Sequence, residues 1–188
     1  MLRLLILRHA KAENAGPDGS DHTRALTARG RADAARIGRY LAHHDLVPDH
    51  VLVSSATRAR ETWACAAAEL DPAPPVHTAA QLYNASADAI LTTLRQLPAT
   101  ARRPLICGHN PGLNETALLL SAAGTAELRA ALRDGMPTAA LAIIEFAGPS
   151  SGANASANAS ANPWSGIRPQ SGRLVGYVSP RLLDAATD

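Results

Sequence analysis

The feature that most constrains the fold is a short apolar run at positions 2–7, interrupted only by Arg3, which Arg8 and His9 follow directly. Such a run is typical of a strand that is buried on both faces, as in a parallel sheet. Further short runs predict strands at 51–53, 76–78, 105–107, 138–146 and 173–178, the last two adjacent. Apolar residues at helical spacing predict helices at 27–43, 57–70, 86–97 and 113–123. This alternation predicts an α/β domain with a mainly parallel sheet.

The composition fits one domain over residues 1–188 and argues against several classes of partner. Apolar residues make up 46% of the chain, enough for a packed core. Aromatic residues are only 3% and the formal net charge is +2, so no nucleic-acid partner is expected. No apolar run reaches the roughly 18 residues of a membrane span, so no membrane partner is expected. The start lacks a signal-peptide layout, and Cys65 and Cys107 lack metal or disulfide spacing, which favours a cytoplasmic protein.

One segment, residues 148–172, differs in composition from the rest of the chain. It contains an Asn-Ala-Ser-Ala repeat set among Gly, Ser and Pro residues. Such a stretch buries too little apolar surface to offset its ordering entropy, so we expect a flexible insertion between the last two strands. Trp164 near its end either docks onto the domain or stays exposed, and the sequence leaves both open.

Candidate functional residues follow three of the predicted strands. Arg8 and His9 follow the first strand, Arg58 begins the helix after the strand at 51–53, and His109 follows the strand at 105–107. In open α/β sheets, ligands bind outside the carboxyl ends of the strands, so these residues can converge on one pocket. Two arginines and two histidines there fit a dianion. No carboxylate cluster accompanies them, so no metal and no cofactor is expected.

The motifs that carry these residues resemble the histidine phosphatase superfamily, which has the phosphoglycerate mutase-like fold. The sequence LRHA at 7–10 resembles the family's N-terminal Arg-His-Gly, and SSATRARET at 54–62 resembles its Ser-Ser-x-x-x-Arg-Ala-x-x-Thr. GHNP at 108–111 resembles the motif of its second histidine. Shorter matches are RALT at 24–27, PTAA at 137–140 and VSPRL at 178–182. Within the family the chain is most similar to the short, SixA-type phosphohistidine phosphatases.

The resemblance implies a three-layer α/β/α fold and a metal-independent phosphatase. His9 would be the nucleophile that forms a phosphohistidine intermediate, with its other ring nitrogen donating to a backbone carbonyl. Arg8 and Arg58 would clamp the phosphoryl oxygens, and His109, as an imidazolium, would stabilise charge in the transition state. Arg24 either reaches the phosphate or pairs with an aspartate, Asp18 or Asp21; both alternatives stay open.

Three departures from the family pattern bear on the substrate. Ala10 replaces the Gly after the Arg-His pair, a mild change where the backbone needs no positive φ. Gln81 stands in the region where members that act on alkyl phosphates carry an acidic residue, so only Glu13 and Asp18 remain as possible acids. No large insertion precedes the second-histidine motif, so we expect a shallow, open pocket.

These departures favour hydrolysis of phosphohistidine on a signalling or phosphotransfer protein, with inorganic phosphate as product. A phosphohistidine leaves as imidazole and needs little protonation, whereas an alkoxide needs an acid. One alternative is a broad-specificity phosphomonoesterase that acts on small phosphorylated substrates. A second alternative is a non-catalytic phosphate-binding module on the same fold.

Overall fold

The architecture is a mixed seven-stranded sheet between two layers of helices, in a computed structural model that describes residues 1–147 and 162–185. The strands are β1 Leu2–Arg8, β2 His50–Ser54, β3 Val76–Ala79, β4 Pro104–Gly108, β5 Ser121–Ala123, β6 Leu141–Phe146 and β7 Gly172–Val178. The helices are α1 Ala28–His43, α2 Thr57–Ala67, α3 Ala87–Arg95, α4 Gly112–Leu120, α5 Ala126–Arg133 and α6 Pro180–Ala185. The three-layer α/β/α arrangement confirms the predicted fold class.

The order of the strands places three predicted site segments side by side. The sheet runs β3-β2-β4-β1-β6-β7-β5, and only β6 runs against the other strands. Arg8 at the end of β1 lies opposite Gly108 at the end of β4, and Val53 of β2 lies opposite Cys107. The carboxyl ends of β1, β2 and β4 therefore meet at one edge of the sheet.

Alternating side chains of β1 supply both halves of the core. Leu4 and Ile6 pack on the face that α3 and α4 cover, whereas Leu5 and Leu7 pack on the face that α1 and α2 cover. All four side chains are fully buried. The apolar run at the start of the chain is thus a strand buried on both faces, as its lack of alternation predicts.

The predicted helix at 113–123 extends three residues beyond the C-terminal end of the observed helix. Helix α4 ends at Leu120, where Ser121 takes an extended conformation and begins β5. This short strand pairs in parallel with β7, and Ser121 lies opposite Gly172. Pairing at the sheet edge has therefore overridden the helical tendency of an Ala-rich segment. Helix α5, which follows, was not predicted.

The predicted strand at 138–146 begins later, at Leu141. Ala139 takes a positive φ of 59°, and its N–H donates to the carbonyl of His9 at 3.1 Å. The segment before β6 is thus a buried turn packed against the first site motif.

The predicted flexible insertion at 148–172 is wrong for its last part. Residues 148–161 lie outside the described residues, but Pro163–Gly166 forms a 3-10 turn and Trp164 is fully buried. The indole N–H of Trp164 donates to the carbonyl of Ala101 at 2.8 Å, and its ring packs edge-on against Phe146. Trp164 thus docks this segment onto the domain.

Two further observations concern the thiols and the helices. Cys107 is buried and Cys65 is half-buried, and both are free. Among the helices within 1–147 and 162–185, none is long and apolar enough to cross a bilayer.

Candidate active site

The carboxyl edge of the sheet brings the two predicted site histidines together. His9 directly follows β1 and His109 directly follows β4, and their ring centroids lie 5.1 Å apart. The N–H of His9 donates to the carbonyl of Gly108 at 3.0 Å, which extends the pairing of the two strands beyond their last residues. The backbone ladder therefore fixes the separation of the two rings.

His9 is held in one tautomer. Its Nδ1 lies 2.8 Å from the carbonyl oxygen of Ala10, which can only accept, so Nδ1 carries the proton. Burial, together with the smaller effects of the nearby Arg58 and Arg8, lowers the pKa of His9 to about 4. At neutral pH the ring is therefore uncharged, with a lone pair on Nε2. This is the protonation state that a nitrogen nucleophile needs.

The loop that carries His9 is tied to helix α2. The N–H of Ala10 donates to Oγ1 of Thr62 at 2.9 Å, and that hydroxyl donates to the carbonyl of Arg58 at 2.6 Å. Thr62 is fully buried. One threonine thus fixes His9 relative to the first turn of the helix, where Arg58 is found.

His109 contacts Ser54 at the end of β2. Its Nε2 lies 2.8 Å from Oγ of Ser54, which leaves Nδ1 buried without a partner among the described residues. Burial, together with the smaller effects of the neighbouring His9 and Arg58, lowers the pKa of His109 to about 3. With this pKa, His109 is neutral at neutral pH in the structure. A bound dianion would favour the charged form and raise that pKa.

Arg8 lies at the end of β1, and one nitrogen of its guanidinium is already hydrogen-bonded. Its Nη1 donates to the carbonyl of Met136 at 2.7 Å, and Nδ2 of Asn110 donates to the same oxygen at 2.9 Å. Burial lowers the pKa of Arg8 from its ordinary value, although an arginine remains charged at neutral pH. Its Nε has no partner within the described part of the chain.

Arg58 and Arg24 both contact Asp21. Nη2 of Arg58 donates to Oδ2 of Asp21 at 2.9 Å, and Nη1 of Arg24 donates to Oδ1 at 2.7 Å. Of the two alternatives for Arg24, the pairing with Asp21 is thus observed, and its charge also contributes to the lowered pKa of His9. The Nε of Arg58 is buried and has no partner among residues 1–147 and 162–185.

Tyr83 follows β3 and completes the same cluster. Its hydroxyl donates to Oδ2 of Asp21 at 2.8 Å, and its ring lies edge-on to His109, with centroids 5.5 Å apart. This hydrogen bond to Asp21 raises the pKa of Tyr83. Tyr83 was not predicted as a site residue, because its segment drew attention only for Gln81, which stands where an acid was expected. Asp21 was predicted only as a partner of Arg24, which lies three residues later in the sequence.

The candidate acids have separate surroundings. Glu13 is exposed, and Asp18 accepts hydrogen bonds from the hydroxyl of Thr23 and the N–H of Ser20 on an exposed loop. Gln81 is exposed as well. In the described part of the chain no three His, Cys, Asp or Glu side chains are grouped so that they could hold a metal ion.

The site therefore offers unpaired donors beside a neutral nucleophile. Nε of Arg8, Nε of Arg58 and Nδ1 of His109 are buried without partners in the described residues. Buried donors are rarely left unpaired in proteins, so an acceptor that binds here completes their hydrogen bonds. Two fixed positive charges favour an oxyanion as that acceptor. The arrangement can bind an oxyanion beside Nε2 of His9.

Comparison with known proteins agrees with this geometry. The family model described as the histidine phosphatase superfamily (branch 1) matches residues 4–96. An uncharacterized protein of Mycobacterium tuberculosis, Rv1276c, is 31% identical over 178 residues, which cover 93% of this chain and 100% of the relative. The similarity therefore extends over nearly the whole chain.

Solved structures of SixA proteins share the fold. The candidate phosphohistidine phosphatase SixA from Agrobacterium tumefaciens aligns with a TM-score of 0.73 and 25% identity, over 95% of this chain and 98% of its own. The protein histidine phosphatase SixA in complex with tungstate aligns with a TM-score of 0.70 and 20% identity, over 97% and 99%. At that lower identity the likeness concerns the fold alone.

Proposed function

Because the chain belongs to the histidine phosphatase superfamily and is a phosphatase, we propose that it hydrolyses phosphohistidine on a signalling or phosphotransfer protein. The covalent intermediate forms on His9, and inorganic phosphate is the final product. Arg8 and Arg58 bind the phosphoryl oxygens, and His109 donates to the same group. The free thiols Cys65 and Cys107 support a reducing, cytoplasmic location.

The observation that carries this proposal is the set of three unpaired donors on residues that surround His9. Arg8, Arg58 and His109 come from three separate segments of the chain, and each has one buried nitrogen without a partner among the described residues. A phosphoryl group has three peripheral oxygens, and each can accept one of these hydrogen bonds. A binding module needs only the donors, whereas the neutral His9 beside them supplies a nucleophile.

The reaction proceeds in two transfers of the phosphoryl group. Nε2 of His9 attacks phosphorus, and the bond from phosphorus to the substrate imidazole breaks; the substrate ring carries a proton on its other nitrogen, so it takes the bond's electron pair and leaves as neutral imidazole. Water then attacks phosphorus and releases a proton to solvent, the bond to His9 breaks with its electron pair returning to Nε2, and inorganic phosphate forms. As negative charge gathers on the phosphoryl oxygens, it favours protonated His109, which stabilises the transition state.

The groups around the site favour a leaving group that needs no strong acid. Gln81 carries no ionisable proton, and the hydroxyl of Tyr83 donates to Asp21, which raises the pKa of Tyr83. An imidazole leaves readily from phosphorus, whereas an alkoxide requires protonation. The chemistry supports a P–N bond as the substrate bond.

A cleft beside Arg8 supports a macromolecular substrate. It has a volume of about 710 Å³ and is lined by Met136, Pro137, Tyr177 and Leu182 among others. Pro137 and Leu182 are exposed in this lining, and an open apolar surface contacts a protein better than it contacts a small sugar phosphate. The neighbours named as phosphohistidine phosphatases support the same substrate class.

The experiment is a comparison of substrates together with a trapping assay. A phosphohistidine-bearing protein, p-nitrophenyl phosphate and a sugar phosphate are hydrolysed under identical conditions, and kcat/KM is compared. We expect the phosphohistidine protein to be the best of the three. Rapid quench with labelled substrate is expected to place acid-labile phosphate on His9, and His9→Ala is expected to abolish turnover.

Two results would contradict the proposal. Full hydrolysis by His9→Ala would exclude His9 as the nucleophile. A large preference for the sugar phosphate would instead support the broad phosphomonoesterase and would remove the argument from the missing acid.

A further inference from the structure

One residue, Asp21, binds both terminal nitrogens of Arg58. Nη1 of Arg58 donates to the main-chain carbonyl of Asp21 at 2.5 Å, and Nη2 donates to the carboxylate Oδ2 at 2.9 Å. These contacts occupy one edge of the planar guanidinium. The other edge, which contains Nε, is buried and has no partner in the part of the chain that the structure describes.

Asp21 is itself held from two other directions. Arg24 donates to Oδ1 at 2.7 Å, and the hydroxyl of Tyr83 donates to Oδ2 at 2.8 Å. These hydrogen bonds, with Arg24 first and Tyr83 second, keep the pKa of Asp21 well below its usual range. The carboxylate is therefore ionised throughout the neutral range, and its position is fixed by residues of two loops and one helix.

We propose that Asp21 is a positioning residue for Arg58, and that Tyr83 holds Asp21 in place. The carboxylate and the carbonyl fix the guanidinium so that its Nε edge meets the phosphoryl group. This inference rests on the proposed function, since it requires Arg58 to bind that group. A side chain fixed before binding loses less rotational freedom when the substrate arrives, and this improves both affinity and alignment.

The contacts indicate that Asp21 positions Arg58 and does not compete with the phosphoryl group for it. A competing anion would bind Nε of Arg58, the buried nitrogen that lacks an acceptor. Asp21 contacts only Nη1 and Nη2 of Arg58, and Nε remains unpaired among the described residues. Asp21 therefore holds Arg58 on the edge away from its free donor.

The experiment measures Asp21→Asn with two readouts. These are kcat/KM for p-nitrophenyl phosphate and the Kd for inorganic phosphate by calorimetry. We expect Asp21→Asn to lower kcat/KM and weaken phosphate binding by about tenfold to a hundredfold, as partners of binding residues commonly do. Tyr83→Phe, which keeps the ring, should give a smaller loss in the same direction.

The matched control is an ion pair away from the site. Glu69, in the turn after helix α2, accepts from Nη1 of Arg39 of helix α1 at 2.9 Å. Glu69→Gln removes an equivalent charge and is expected to leave both readouts unchanged. Thermal unfolding of every variant at pH 7.5 shows that loss of folding does not cause the effect.

The double variant separates positioning from a general structural effect. In an Arg58→Ala background, Asp21→Asn should lower kcat/KM by less than about twofold, because coupled residues are not additive. Full additivity would overturn the inference, as would tighter phosphate binding by Asp21→Asn. If Arg58→Ala itself leaves phosphate binding unchanged, the proposed function fails and the inference with it.

Discussion

Ser54 Oγ lies 2.8 Å from Nε2 of His109, and both side chains are buried. The backbone N–H of Ala56 donates to the same hydroxyl at 3.5 Å, and the hydroxyl proton stays available to Nε2 of His109. With the hydroxyl donating to Nε2, the proton of the neutral imidazole lies on Nδ1, the nitrogen that has no partner among the described residues. We therefore expect Ser54 to fix the tautomer of His109.

Substitution of Ser54 tests this assignment. Ser54→Ala is expected to lower kcat/KM about fivefold, because one buried hydrogen bond contributes about 1 kcal/mol and the tautomer is no longer fixed. Nitrogen chemical shifts of His109 should show a mixture of tautomers in the variant. The control is Ser55→Ala, since the neighbouring hydroxyl contacts His22 instead. Equal activity of Ser54→Ala and the unmodified protein would refute the role.

The lowered pKa values of the two histidines predict a pH dependence of stability. Burial lowers the pKa of His9 to about 4 and that of His109 to about 3, whereas an unfolded chain has a value of about 6.5. Between pH 6.5 and 4 the unfolded state binds more protons, so the free energy of unfolding decreases as pH falls. Urea unfolding at pH 7.5 and 4.5 measures this loss.

His9→Gln should reduce the same loss, because the variant has no imidazole to protonate at that position. His43→Gln serves as the control, since His43 is exposed on α1. A pH dependence of unfolding that is identical in His9→Gln and the unmodified protein would show that His9 has an ordinary pKa.

Removal of metal ions should not change activity. Arg8 and Arg58 supply positive charge at the site, and the described residues contain no group of three metal-ligating side chains. Dialysis against EDTA, followed by a rate measurement with p-nitrophenyl phosphate, is expected to give unchanged kcat/KM. A loss that added Zn²⁺ or Mg²⁺ restores would move the mechanism to a metal-dependent class.

Trp164 should be among the most stabilising side chains of the domain. It is fully buried, and its indole N–H donates to the carbonyl of Ala101. Trp164→Ala is expected to lower the free energy of unfolding by about 3–5 kcal/mol, because a large cavity remains. Trp164→Phe should cost less, since it keeps much of the apolar volume. A change below about 1 kcal/mol in Trp164→Ala would mean that the segment does not contribute to the core.

The elements that the sequence predicts well are those with a complete local pattern. The strand β1 has an apolar run that only Arg3 interrupts, and helix α1 has helical spacing together with Thr27, whose side chain accepts from the N–H of Gly30. Both the type and the order of these elements follow from such signals. The convergence of Arg8, His9, Arg58 and His109 follows as well, because the ends of neighbouring parallel strands meet at one edge.

The features that were missed depend on contacts between distant parts of the chain. Ser121–Ala123 is a strand because β7 lies beside it, and Trp164 is buried because a site beside Ala101 and Phe146 accepts it. These partners are distant in the sequence from the segments that they contact. Low-complexity composition near Trp164 therefore gave the wrong expectation for residues 162–172.

The sequence by itself determined the α/β fold, the family and the four residues that follow the strands. The patterns that predict strands and helices are local, and the motifs that indicate the family are short segments that can be read directly from the chain. Only the tertiary structure decided the electrostatic state of these four residues. Asp21 and Tyr83 reach the site from separate loops, Ser54 contacts His109 across two strands, and burial keeps both histidines neutral at neutral pH. Hydrogen bonds and desolvation depend on which groups are neighbours in space, and a linear pattern does not specify that.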